Sequence, residues 1–172
     1  LKNLLTFFRG TRRDIPDAGK MIRIRDLRDD KLDYKLNVSN LEVTEITRPH
    51  LRIIDESCLL LATRWKTLKP TYFEFFNEPI FLNHDILSFK INEQIVDTAY
   101  LINELHADYV EEQLTSYRQG ATIPMIRRDD LLEIVIKLPS IEEQRAKVAG
   151  LQEISEKIRQ LQNERNALAH GV

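Results

Sequence analysis

From Ser140 to the end of the chain, apolar residues return every three or four positions: Leu151, Ile154, Ile158, Leu161 and Leu168, with the polar Arg165 on the same seam. That spacing is the mark of one continuous helix with a heptad-like stripe. Ser140 followed by Glu143 forms a capping box at its start, each side chain satisfying a backbone N–H that the first helical turn leaves orphaned. A helix of about 29 residues runs ~43 Å at 1.5 Å per residue, longer than a small domain is wide. It is therefore expected to project from the rest of the chain and to need a partner for its stripe. Residues 1–139 must form the globular part, and residues 140–172 the helix.

The remainder has the composition of a domain that buries a core. Of 172 residues, 42% are hydrophobic and 30% charged, which separates the chain from disordered and low-complexity classes. The apolar runs are short, such as Cys58 to Ala62, so no membrane span is expected. No basic segment followed by an apolar one opens the chain, so no secretory signal is expected. One cysteine, Cys58, cannot staple a fold and fits a reducing cytoplasm. The chain begins at Leu1 rather than Met, as a segment of a longer polypeptide would.

Local periodicity supplies the elements. Met21-Ile22-Arg23-Ile24-Arg25 alternates as a strand with one wet face, which would put its arginines on one side. Two apolar bursts around Asp55-Glu56 predict two strands or one strand with a tight turn, and Tyr72 to Phe76 and Ile80 to Ile91 also predict strands. From Ile95 to Tyr117 the period changes to that of one amphipathic helix, whose other positions carry Asp97, Glu104, Asp108, Glu111 and Glu112. Gly120 ends it, and Ile134 to Leu138 returns to a buried-strand pattern that Pro139 stops.

Charge is unevenly placed although the net value is only −2. Residues 1–35 carry ten Lys/Arg against six Asp, and residues 64–72 carry Arg64, Lys66 and Lys69 with no acid. Residues 73–115 hold nine acids against Lys90 alone. A nucleic-acid surface needs local positive potential rather than a basic average. The acidic helix belongs on the side away from any phosphate.

Motifs of catalysis are sparse. No Pro-Pro pair offers an adenine methyltransferase loop, and Ala18-Gly19-Lys20-Met21 lacks the form of a phosphate-cradling Walker loop. The histidines His50, His84, His106 and His170 have no metal-ligand spacing, so no zinc, other metal or cofactor is expected. Pro16-Asp17 before Asp29-Asp30-Lys31, or before Asp33-Tyr34-Lys35, matches the permissive PD…(D/E)xK pattern of metal-dependent nucleases. Asp29-Asp30 reads as a polar turn rather than the strand such a site needs. A nuclease, or an interaction module built on the C-terminal helix, is the alternative to the reading that follows.

The most specific stretch is Gly120-Ala121-Thr122-Ile123-Pro124-Met125-Ile126, then Asp130-Leu131, then Ile134-Val135-Ile136-Lys137-Leu138-Pro139-Ser140-Ile141-Glu142-Glu143-Gln144. It resembles the end of a target recognition domain in the specificity subunit of type I restriction-modification systems: a glycine-threonine loop, a "DL" turn, an "I-x-I-x-L-P" strand and a "P-L/I-x-E-Q" helix start, in that order. Ile22 to Leu27 and Asp55 to Arg64 agree with the upstream pattern. The chain departs from it at Ser140, where the family often has a second proline, at Asp55-Glu56 and at Trp65.

The resemblance implies an α+β fold: a DNA-recognition domain over residues 1–139 with a mixed sheet and packed helices, followed by a coiled-coil-type spacer helix. It implies no catalysis by this chain. Double-stranded DNA, an adenine methyltransferase subunit and, through the complex, a motor-nuclease restriction subunit are the implied partners. An equivalent recognition domain would pack its helix antiparallel against this one, from a second copy or from the same longer polypeptide. Charge nominates the DNA contacts: Arg12, Arg13, Arg23, Arg25, Arg28, Arg64, Lys66 and Lys69 first, with Arg118, Gln119 and Thr122 of the Gly120 loop second.

Overall fold

The strand Cys58–Ala62 (β5) is buried along its whole length, and it divides the domain into layers. Side chains alternate across a strand, so Leu59 and Leu61 enter one hydrophobic core while Cys58, Leu60 and Ala62 enter another. The computed structural model describes residues 1–10, 17–45, 52–118 and 125–170. Within them, β5 lies in an antiparallel sheet of order β1-β8-β5-β6, where β1 is Leu5–Phe7, β6 Thr71–Phe73 and β8 Ile86–Ile91. Leu59 pairs with Phe89 and Leu60 with Ser88 across one edge, and Cys58 with Phe73 across the other.

A second sheet has the order β3-β2-β7-β4, from Val43–Glu45, Ala18–Ile22, Ile80–Leu82 and Arg52–Ile54 respectively. Its β2–β7 pair is parallel and the others antiparallel, so this sheet is mixed. Ile22, Ile54, Ile80 and Leu82 pack onto the Leu60 side of β5. The helices Thr98–Leu105 (α1) and Asp108–Tyr117 (α2) cover the Leu59 side through Tyr100, Leu101, Leu105, Val110 and Leu114. The apolar bursts on either side of Asp55-Glu56 are indeed two strands, but they belong to different sheets. Gly10, at φ 69°, would place a Cβ 2.0 Å from the Ile53 carbonyl oxygen, so no side chain is tolerated there.

Three expectations from periodicity need correction. Ile95 to Tyr117 is two helices, broken where His106 and Ala107 leave the helix, although Leu105 and Tyr109 preserve the spacing across the break. Ile134 to Leu138 is not a strand and joins no sheet among the described residues. The side-chain amide of Gln113 both donates to Val135 O and accepts from Val135 N, at 2.9 Å each, as a neighbouring strand would. Lys137 N donates to the Tyr109 hydroxyl at 3.0 Å. The third concerns Met21 to Arg25, where the strand stops at Ile22.

After the short helix Arg128–Leu132 (α3), the long helix Ile141–His170 (α4) is as expected, with Ser140 N donating to Glu143 at 2.9 Å and Glu143 N to Ser140 Oγ at 3.3 Å. Its first turns are bolted to the domain. Gln144 is wholly buried; its amide donates to Ile95 O at 3.1 Å and Pro139 O at 2.9 Å, and accepts from Asp97 N at 2.9 Å. One turn on, Lys147 reaches the buried Glu104 of α1 at 2.6 Å, and Tyr109 donates its hydroxyl to the same carboxylate.

Burial alone pushes the Glu104 carboxyl up, but the bonds from Lys147 and Tyr109 outweigh it and hold it below the usual glutamate range. A carboxyl depressed in the fold stabilises it above the unfolded pKa and loses that contribution as pH falls through the folded value. Acidification below about pH 4.3, the ordinary glutamate value, should therefore loosen the α1–α4 contact. Amide exchange over residues 141–150 should accelerate in that window, and a Glu104→Gln variant should lose this pH dependence.

Candidate nucleic-acid interface

Past β2 the chain does not continue as a strand. Arg23 N donates to the Asp26 carboxylate at 2.7 Å and the chain curls into a 3-10 turn over Ile24–Asp26. Such local side-chain bonds compete with a sheet ladder, and here they end it. The two arginines nevertheless converge. Arg23 and Arg25 each reach Glu42 at 2.6 Å, and Arg23 also donates to Thr44 Oγ1 of β3 at 2.8 Å. The Arg23 hydrogen bond and the Arg25 charge hold the Glu42 carboxyl below its ordinary range. Arg28 follows, its guanidinium 3.3 Å from Asp33.

The second basic segment leaves β5. Ala62 N donates to Leu68 O at 2.7 Å, closing a loop that the buried Leu68 plugs into the core. Arg64, Trp65 and Lys66 are thereby pushed outward. Arg64 leans on Asp85 at 3.6 Å and on Met125 Sδ at 3.6 Å. Lys69 turns the other way. At φ 44° it folds inward, 9% exposed, and donates to Ile24 O at 3.0 Å.

Those contacts join the two basic segments that lie far apart in sequence. Besides Lys69 on Ile24, Thr67 donates to Asp29 at 2.9 Å, and Arg28 N donates to Thr71 Oγ1 at 2.7 Å. These ties make neighbours of the two segments that carry Arg23, Arg25, Arg28, Arg64 and Lys66, with Lys69 packed between them. Arg118 stands elsewhere: its side chain is 10% accessible and bonds Glu111 at 2.9 Å on α2. Arg12, Arg13, Gln119 and Thr122 lie outside the described residues. The described chain resumes at Met125, which bridges to Arg64, while Ile126 N donates to Thr63 O at 2.9 Å.

The residues of the nuclease pattern are occupied otherwise. Asp30 accepts from Leu32 N at 2.7 Å and Asp33 N at 2.9 Å, a turn whose bonds from Asp33 and Leu32 lower its pKa. Asp29 takes the Thr67 hydroxyl, and Lys35 pairs with Glu74 at 2.7 Å. Asp17 is exposed, and Pro16 lies outside the described residues. Among the described residues, no three His, Cys, Asp or Glu side chains gather as metal ligands. No described helix is long and apolar enough to cross a membrane.

Counting charge segment by segment missed three features of this surface. The carboxylates of Glu42 and Asp85, which hold Arg23, Arg25 and Arg64, come from other segments. The threonine ties of Thr67 and Thr71 carry no charge signal. Trp65 was invisible to a tally of cations.

Comparison with known proteins gives a consistent result. The family model for the type I restriction modification DNA specificity domain matches residues 20–170. No curated protein matches the chain. Among solved structures, the HsdS subunit from Thermoanaerobacter tengcongensis superposes with a TM-score of 0.68 at 18% identity, covering 95% of this chain and 43% of that one. A chain from a study of complex assembly and conformational transition of the type I R-M system gives 0.62 at 16% identity, over 94% and 38%. The S subunit of a type I restriction-modification system from M. genitalium gives 0.51 at 15%, over 94% and 39%. The chain therefore spans about two fifths of the length of these subunits, and the likeness is one of fold.

Thr71 is the simplest test of the tie between the basic segments. It is fully buried, accepting from Arg28 N and donating to Lys69 O at 3.0 Å. Thr71→Val keeps the volume and strands the Arg28 N–H, a loss of about 1–3 kcal/mol. Urea denaturation should show that loss with an unchanged m-value.

Proposed function

The chain belongs to the type I restriction modification DNA specificity domain family, and from that membership we propose that it is a non-catalytic module that reads one half of a bipartite DNA site. Its role is to give target specificity to an adenine methyltransferase subunit and, through the assembled complex, to a restriction subunit. The observation that carries this reading is the joining of residues 23–28 to residues 64–69, which brings together the segments that carry half-buried Arg23 and Arg28 and exposed Arg25, Arg64 and Lys66.

In the free protein most of these cations rest on carboxylates: Arg23 and Arg25 on Glu42, Arg28 on Asp33, Arg64 on Asp85. Exposed pairs of this kind contribute little, typically under about 1 kcal/mol. Exchanging them for phosphates costs little, and the arginines are already held near their working geometry. Arg12 and Arg13 remain assigned to the same interface on charge, with Gln119 and Thr122 of the Gly120 loop in second rank. Arg118, turned onto Glu111, ranks below them.

The C-terminal helix supports the other half of the proposal. Beyond its bolted first turns, the stripe is open: Ile154 is 56% exposed, Ile158 48%, Leu161 64% and Leu168 86%. Between α4 and the turn at residues 30–33 runs a groove of about 730 Å³, with Leu32 facing it on one side and Ile158 on the other. Exposed apolar side chains in a continuous row call for a partner. We assign that partner as an equivalent helix packed antiparallel, from a second copy or from a second recognition domain, with docking on the methyltransferase as the alternative. Arg165 would help set its register.

Two measurements test these assignments. The logarithm of duplex affinity should fall linearly with the logarithm of salt, and Lys66→Ala should lower the slope by about one. A protein with no affinity for any duplex at about 50 mM salt, even with its methyltransferase present, refutes the DNA reading. Ile158→Asp should abolish assembly while leaving the domain's stability within about 0.5 kcal/mol of the parent, as expected for an exposed site. Identical sedimentation of variant and parent, with and without the methyltransferase, refutes the helix assignment.

A further inference from the structure

Trp65 is the only tryptophan in the chain and is 44% exposed. It stands between Arg64 and Lys66 at the outer end of the loop that leaves β5. The Lys69 ammonium lies 5.3 Å from the centroid of its ring, within cation–π range. That ammonium is in turn held by Ile24 O at 3.0 Å. Lys69 adopts φ 44°, a backbone region that side-chain-bearing residues avoid. Among the described residues it has no carboxylate within 4.0 Å. A lysine committed to a carbonyl and a ring face, and 9% exposed, is badly placed to meet a phosphate.

We propose that Trp65 is a base-contacting, specificity-determining residue of this interface and that Lys69 is the positioning residue that orients it. The inference rests on the DNA reading above. Phosphate contacts locate a protein on a duplex but carry no sequence information. An indole offers apolar surface and a single N–H donor, suited to a thymine methyl group and base edges in a groove. Arg64 and Lys66 flank it with the charge needed to bring the backbone close. The buried ammonium under the ring fixes its plane before DNA arrives, so that little order is lost on binding.

The test is selection of binding sequences from a randomised duplex library by the full chain, with its methyltransferase present. Trp65→Ala should relax preference at one or two positions of the selected site and weaken binding to the parent's site about tenfold to a hundredfold. Its salt slope should match the parent's, and Trp65→Phe should restore much of the preference. Lys69→Met should behave like Trp65→Ala, again with an unchanged salt slope. Emission from the sole tryptophan should change when the selected duplex is added to the parent.

Other outcomes overturn the inference. If Trp65→Ala and Trp65→Phe select the parent's site with the parent's affinity, Trp65 does not read bases. Unchanged emission at saturating duplex likewise rules out a base contact by the indole. A salt slope lowered by about one in Lys69→Met makes Lys69 a phosphate contact. Should the parent itself select no sequence, the DNA reading fails, and this inference falls with it. Thermal melting of each variant separates unfolding from lost recognition, and the Phe variant and parent emission decide the question if the Ala variant melts.

Discussion

Burial of both faces of β5 is the constraint on which the interface depends. A strand that must satisfy an α-helical layer through Leu59 and Leu61, and a second sheet through Cys58, Leu60 and Ala62, has no freedom to shift register. A slip of one residue would exchange the two sets of side chains. The loop after Ala62 therefore starts from a fixed point and is closed by Leu68 O on Ala62 N. Binding groups on a short loop are precise only when the scaffold beneath them is rigid. The burial that raises the Cys58 thiol pKa to about 12 belongs to the same packing.

On that frame, the cations are arranged by neutral bonds as much as by charge. Lys69 meets a carbonyl oxygen, and Thr67 and Thr71 tie the two basic segments through hydroxyl groups. Carboxylates then steady the outward arginines without burying them. Glu42 accepts both Arg23 and Arg25, which limits how far either can stray. Had these pairs been buried, freeing an arginine would leave its carboxylate buried and unpaired, at a large cost. Exposed pairs release their arginines at little cost, which is what exchange for phosphate requires.

What could be read from the sequence follows the range of the interactions. The capping box at Ser140 and Glu143 spans three residues and was legible, as were the stripe of α4 and the strands from Cys58 to Ile91. Alternation at Met21 to Arg25 misled because Asp26 captures the Arg23 N–H within the same turn. The pattern of Ile95 to Tyr117 ran unbroken across His106 and Ala107, since the two helices bury the same face. Ile134 to Leu138 alternated like a strand, but its partners are the side chains of Gln113 and Tyr109. Contacts such as Lys69 on Ile24 cross 45 residues, and no local pattern reveals them. The family's motif order anticipated the start of α4 at Ser140 to Gln144 but not the loss of the strand at Ile134 to Leu138, and the proposed base reader Trp65 lies outside those motifs.

Helix α1 touches both the turn after the first basic segment and the long helix. Adjacent residues of this short helix face two ways. Asn103 donates to Lys31 O at 3.4 Å, in the turn that follows Arg28, and Glu104 takes Lys147 of α4 at 2.6 Å. His106, at the helix end, lies 4.0 Å from Asp29, the residue that accepts from Thr67. Both the basic surface and the spacer helix are thus referenced to the same eight residues, packed on the fixed floor of Leu59 and Leu61. Gln144 removes the remaining freedom by binding the chain just before α1 and the residue just before α4's cap. Under the proposed function, a partner that grips the distal stripe of α4 would therefore fix where the cations point. Under the same proposal, the separation between two recognition surfaces would be a matter of helix length rather than of loop flexibility, as a bipartite site demands.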